Sequence, residues 1–349
     1  MAEEEVVLVT QLPSDSWFEG FVLRPNGKVL ATRLDLPELY TFRAEDPDAV
    51  PQLVCTLPDC NSLINICSIP GYDDEYFVLA STADLETVTH KDVWLWRVVM
   101  SEDDNVPPKT TRVTPVPEEG QSTCLGVKAV SNRVVLLPDG RTSCIWHLDT
   151  ATGTKTLFAK DETTMARSAD DGFFGVNRLQ LVGGHVYFTN SGAGRVCRIP
   201  VELDPAREDV AIRVAGPSQI IVDNLPTNLE GLAVSPDETH AYVASHIDGR
   251  LHRVQIDKAT GTGTSHVIMS SLDNPTGVNL LSSPDDPGRT KLYIVCCGEI
   301  EVAWMPREDN PWEAIRDIND AVTVTVVTQE EVVESSNSTG GASASASTS

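Results

Sequence analysis

Four short stretches of the chain share one pattern, a residue, then Gly, then alternating apolar positions: Glu19-Gly20-Phe21-Val22-Leu23, Leu125-Gly126-Val127-Lys128-Ala129, Glu230-Gly231-Leu232-Ala233-Val234 and Thr276-Gly277-Val278-Asn279-Leu280. A fifth copy, Asn177-Arg178-Leu179-Gln180-Leu181, keeps the alternation and replaces the Gly, and a degenerate sixth lies at Ile64-Asn65-Ile66. Copies spaced roughly 45 to 60 residues apart, each followed by a turn signal and further strand-like runs, are the mark of radial repetition. The pattern predicts an all-β chain, a six-bladed β-propeller of four-stranded antiparallel blades. In such a ring the innermost strands line a central channel, so the first residues of the six copies converge although the sequence scatters them.

The turns support this. Pro25-Asn26-Gly27 joins two alternating apolar runs, Gly183-Gly184 and Pro236-Asp237-Glu238 mark turns in later copies, and Pro138-Asp139-Gly140 marks a turn within the third; Asn and Gly tolerate the positive φ that tight hairpins need. Val6 to Thr10 and Val322 to Val327 read as strands from the two chain ends that complete the last blade and remove exposed edges. The one expected helix is short, Pro311 to Ile318, with Pro at its start. Residues 1–328 form a single domain on this reading, and 329–349, rich in Glu, Ser, Gly and Ala, form a disordered tail.

The balance of 51 acidic against 26 basic residues, a formal charge of −25, opposes phosphate backbones and anionic lipid surfaces and argues against nucleic acid as a partner. No apolar run of about 18 residues is present to span a membrane. An acidic Met1-Ala2-Glu3-Glu4-Glu5 start without an apolar core is unlike a signal peptide and places the chain in the cytoplasm as an expectation. The eight cysteines form no CxxC pair and no zinc spacing, and read as reduced fillers. No GxSxG elbow supports serine hydrolysis.

The stretches Trp17-Phe18-Glu19-Gly20 with Arg24-Pro25-Asn26-Gly27-Lys28, Val186-Tyr187-Phe188-Thr189-Asn190-Ser191-Gly192 with Arg195-Val196-Cys197-Arg198-Ile199, and Glu230-Gly231-Leu232-Ala233-Val234-Ser235-Pro236-Asp237 resemble the senescence-marker-protein/gluconolactonase superfamily of six-bladed propellers over roughly residues 15 to 305. The resemblance implies a divalent cation, calcium or zinc, at the channel mouth on positions matched here by Glu19, Asn177 and Glu230, with Glu in place of the family's Asp at the third. It also implies an Arg and an Asn/Asp pair at the blade-three entry for a sugar lactone. This chain has Ser122-Thr123-Cys124-Leu125-Gly126-Val127 there, with nothing charged before Lys128, and Ile64 stands at the blade-two mouth. A lining apolar on one side suits a greasy ligand better than a sugar.

The Trp-aromatic-Glu wording of blade one, followed by Leu30-Ala31-Thr32-Arg33-Leu34-Asp35 and Pro37-Glu38-Leu39-Tyr40, resembles the fungal branch of this superfamily, with Gly20 where that branch implies Asn. Some members of the branch catalyse intermolecular hetero-Diels–Alder reactions between a tropolone-type quinone methide and a humulene-type terpene. The implied pericyclase needs no cofactor. Asn177 would donate to the heterodiene carbonyl, Glu19 and Glu230 would orient it, and Trp17, Ile64, Leu125, Phe173, Phe174, His246 and Thr276 would line the substrate site. Two alternatives stand beside it: a metal-dependent lactonase or esterase with the cation on Glu19, Asn177 and Glu230 and His246 as base, and a non-enzymatic propeller that binds partners through its loops.

Overall fold

The computed structural model describes residues 5–14, 16–44, 46, 49–87, 89–103, 105–117, 123–167, 174–204, 211–282, 289–297, 300–305, 313–318 and 321–330. Its fold is all-β, with antiparallel four-stranded blades in a propeller arrangement. Sheet one comprises Phe18–Leu23, Lys28–Arg33, Glu38–Arg43 and Gln52–Thr56; sheet two, Ser62–Ser68, Glu75–Asp84, Thr89–Val99 and Lys109–Pro115; sheet three, Lys128–Ala129, Val134–Asp139, Cys144–Asp149 and Lys155–Lys160. Sheet five holds Leu229–Val234, His240–Ser245, Arg250–Ile256 and Gly263–Met269. In a further four-stranded sheet Pro275–Ser282 pairs with Arg289–Cys296, that strand with Ala321–Glu330, and Ala321–Glu330 with Glu5–Ser14, Val6 lying opposite Val327.

Two expectations are corrected. The fourth sheet has five strands, not four: Arg195–Leu203 is long enough to pair with Ile212–Val214 through Val201 to Leu203 and with Gln219–Val222 through Val196 to Arg198. The helix expected at Pro311 to Ile318 is, over Glu313–Ile318, a strand paired antiparallel with Ile300–Met305; cross-strand hydrogen bonding overrides a weak local helix preference. The last paired strand runs to Glu330, two residues into the segment expected as tail, and the rest of that segment lies outside the described residues.

Alternation puts one face of each strand into the packing between neighbouring sheets. Leu30, Leu63, Tyr76 and Val78 form one such layer between sheets one and two, and Ile64, Phe77, Leu79, Leu95, Val135 and Leu137 another between sheets two and three. Each buried aliphatic or aromatic side chain contributes about 1.5–3 kcal/mol, so these layers hold the sheets together. The repeat's Gly is explained by the approach of inner strands at the axis. A Cβ on Gly231 would lie 2.5 Å from the Val278 backbone nitrogen, and one on Gly20 2.9 Å from the Asn65 side chain.

Candidate functional site

The first two positions of the repeat sit on a local irregularity that recurs. In five inner strands the register with the second strand slips at these residues, between Phe18 and Phe21, Leu63 and Asn65, Val176 and Leu179, Leu229 and Leu232, and Pro275 and Gly277. A bulge of this kind re-aims a side chain out of the ladder. Buried threonines on the second strands hold it: Thr32 Oγ1 accepts from Gly20 N at 3.0 Å, and Thr189 Oγ1 from Arg178 N at 3.1 Å.

The structure brings Glu19, Asn177, Glu230 and Thr276 together, and at their centre places a residue to which the sequence reading gave no role. Arg178 occupies the slot where four copies carry Gly, and its guanidinium crosses the axis. Nη2 donates to Glu19 Oε1, to Glu230 Oε2 at 2.9 Å and to the Thr276 carbonyl at 3.5 Å, while Nη1 donates to the Leu125 carbonyl. One side chain thus joins sheets one, four, five and the Pro275–Ser282 sheet with the segment entering sheet three. Glu19 is also fixed from outside, its Oε2 accepting from Trp17 Nε1 at 2.7 Å.

Two carboxylates share one guanidinium, one of them buried and the other partly exposed. Burial pushes the Glu19 carboxyl above its ordinary value, Arg178 opposes the rise, and the Glu230 charge adds to it. Burial likewise pushes Glu230 up, against Arg178 and the Asn177 amide. Burial works against the Arg178 charge, but Glu19 and Glu230 overcome it and hold the guanidinium above its usual range. Glu19 and Arg178 are 5 and 7% exposed, whereas the Glu230 side chain keeps 18% of its surface, which makes Glu230 the accessible member.

Asn177 is fully buried, and Nδ2 donates to Ser191 Oγ at 3.0 Å and to the Leu229 carbonyl at 3.2 Å, with the amide also against the Glu230 carboxyl. Oδ1 has no hydrogen-bond partner. A divalent cation does not fit this donor set. The carboxylate oxygens that would ligate it already face a permanent positive charge, and a second cation beside Arg178 would be repelled. Among the described residues no group of three His, Cys, Asp or Glu side chains is arranged to hold a metal.

Of the expected lining residues, Trp17 is half-buried and its ring stacks on His246, with centroids 6.3 Å apart and planes 15° from parallel. Ile64, Leu125 and Phe174 belong to the core layer on which Trp17 packs. Thr276 is buried, its Oγ1 donating to the Phe18 carbonyl at 2.8 Å, a tie between sheets. Phe173 lies outside the described residues. All eight cysteines are free, with Cys67 pushed up to about 11 by burial.

The inner strands line a channel cavity of about 320 Å³, bounded among others by Glu19, Arg178, Asn65, Lys128, Gln180 and Asn279, with neither Trp17 nor His246 in its wall. Arg178 and Asn65 stand in the two copies that lack the repeat's Gly, and that departure is the signal in the sequence that marks them.

No family model matches the chain, and no curated protein matches it. Similar solved structures include a luciferin-regenerating enzyme, 12% identical with a TM-score of 0.59 over 94% of this chain and 96% of that one. The apo soluble aldose sugar dehydrogenase of Escherichia coli is 11% identical with a TM-score of 0.58, over 93 and 99%. A calcium-binding regucalcin of Agrobacterium tumefaciens str. C58 is 14% identical with a TM-score of 0.54, over 91 and 92%. At these identities the likeness is one of fold. No helix among the described residues is long and apolar enough to cross a membrane.

Proposed function

We propose that the chain is a metal-independent propeller enzyme that joins two small organic substrates, and that its reaction is the intermolecular hetero-Diels–Alder cycloaddition of a tropolone-type quinone methide with a humulene-type terpene. The reading takes the sheets as one six-bladed ring, closed through the pairing of Glu5–Ser14 with Ala321–Glu330. The observation that carries it is Arg178 bridging Glu19 and Glu230, where a hydrolase of this architecture would need free carboxylate oxygens for its cation.

A cycloaddition forms one C–C and one C–O bond by moving π electrons of the two partners, with no proton, leaving group or redox equivalent to account for. The protein has to supply geometry and polarisation. Holding two reactants in a near-attack arrangement lowers a barrier by about 7–11 kcal/mol in the most favourable models. The stacked Trp17 and His246 rings offer a flat apolar face for the quinone methide at the Trp17 end of the cluster. Polarising the heterodiene oxygen calls for a donor in a dry site. Asn177 is engaged elsewhere, so in this proposal the role passes to the protonated form of the Glu230 carboxyl, which burial favours and Arg178 opposes. Glu19, locked between Trp17 and Arg178, is a positioning residue.

The test is adduct formation from the two partners by purified protein in excess EDTA, with Glu230→Gln and Arg178→Lys alongside. Undiminished turnover in chelator, with a loss of ten- to a hundredfold in Glu230→Gln, is expected. A rate no greater than the uncatalysed background, or activity that chelator abolishes, overturns the reading.

A further inference from the structure

Besides Arg178 the channel holds a second, half-buried cation whose surroundings are unlike the first. Period-two alternation sends Val127 and Ala129 into the core layer between sheets two and three and turns Lys128 to the channel. The same alternation brings Gln180 and Asn279 to it from other inner strands. Lys128 Nζ donates to Gln180 Oε1 at 3.1 Å, and Gln180 Nε2 is anchored on the Leu232 carbonyl at 3.0 Å, which fixes the amide. The remaining two N–H bonds of Lys128 meet no carboxylate among the described residues. Asn279 Oδ1 accepts from Leu280 N at 3.0 Å, leaving Nδ2 as a further donor on the cavity wall.

Of the ionisable residues lining this cavity, Arg178 is paired with Glu19 and Glu230, which leaves Lys128 as the charge facing no carboxylate among the described residues, inside a protein that carries −25 overall. A half-buried ammonium is costly to leave without a counter-charge. Burial accordingly holds Lys128 below the usual lysine range. The volume, about 320 Å³, stands at the lower end of small-ligand pockets.

We propose that this channel is a binding site for a small organic monoanion, a carboxylate, whose charge Lys128 neutralises and whose oxygens Lys128 and Asn279 bind. The carboxylate faces Lys128, with Gln180 fixing the ammonium and the Arg178 cluster closing the far end. One negative charge matches the single ammonium that faces no carboxylate, and a dianion such as sulfate leaves an excess. The site is separate from the Trp17 side of the cluster and does not depend on the reaction proposed there.

The experiment is a ¹⁹F NMR titration of the full chain with 4-fluorobenzoate and, as the neutral isostere, 4-fluorobenzamide. Saturable binding of the benzoate, no saturable binding of the benzamide, and no displacement by inorganic sulfate are expected. Lys128→Met should weaken benzoate binding at least tenfold, the scale of one lost charge-assisted hydrogen bond. Lys128→Gln, which retains an amide donor for Gln180, should do the same and covers the case in which the Met variant does not fold. Benzoate binding unchanged in the folded variants, equal binding of the benzamide, sulfate binding in place of benzoate, or no saturable binding at all overturns the proposal. Failure of the cycloaddition assay leaves this result untouched, because the titration reads a ligand and not a turnover.

Discussion

Arg178 and Lys128 are two cations in one channel, and their surroundings differ in kind. Arg178 is held by two carboxylates and two backbone carbonyls, whereas Lys128 has one amide oxygen and open space. Removing a partner from a fully compensated buried group exposes the desolvation that the pairing had offset, but removing an uncompensated charge relieves it. The first cation should therefore behave as part of the fold and the second as part of a binding site.

The sharpest way to break this contrast is Arg178→Met, which leaves Glu19 and Glu230 facing each other. Chemical denaturation should show a loss of about 3–5 kcal/mol; a loss under about 1 kcal/mol would mean that the bridge does not hold the axis together. Next in size is Thr189→Val, which takes the acceptor from the buried Arg178 N–H and should cost about 1–3 kcal/mol. Equal stability would show that the bulge does not need its threonine.

The pH dependence has a definite sign. The Glu19 carboxyl is raised in the folded state, so its favourable contribution is present below the ordinary value near 4.5 and is lost as pH rises through the folded value. Stability of the wild type relative to Glu19→Gln should fall as pH increases above that point, and an unchanged difference across the acidic range would refute the burial argument. The smallest effect belongs to Lys128→Met, expected within about 1 kcal/mol of wild type and on the stable side. Destabilisation as large as that of Arg178→Met would erase the distinction between the two cations.

The repeat made most of the fold legible, because the Gly that lets inner strands approach is written in four copies and Pro25-Asn26-Gly27, Gly183-Gly184 and Pro236-Asp237-Glu238 mark the first hairpins of sheets one, four and five. The convergence of Glu19, Asn177, Glu230 and Thr276 followed from the same register. What stayed hidden depended on side-chain reach. Arg178 stood in plain view as the residue that replaced Gly, yet nothing local reveals that its guanidinium spans the axis to Glu19. Asn177, expected as a ligand or donor, has its amide engaged by Ser191 and Leu229, partners supplied by the second strand of its sheet and by the next sheet. The extra strand of sheet four and the pairing of Glu313–Ile318 were not apparent because short edge strands are selected by tertiary partners.

Calorimetric titration of the purified chain with Ca²⁺ and Zn²⁺, in wild type, Glu19→Gln and Glu230→Gln, tests the central claim that a guanidinium stands in place of a metal ion between the two carboxyls. No binding that depends on either Glu is expected in the wild type. One equivalent of cation bound by the wild type and lost in both variants would contradict the account.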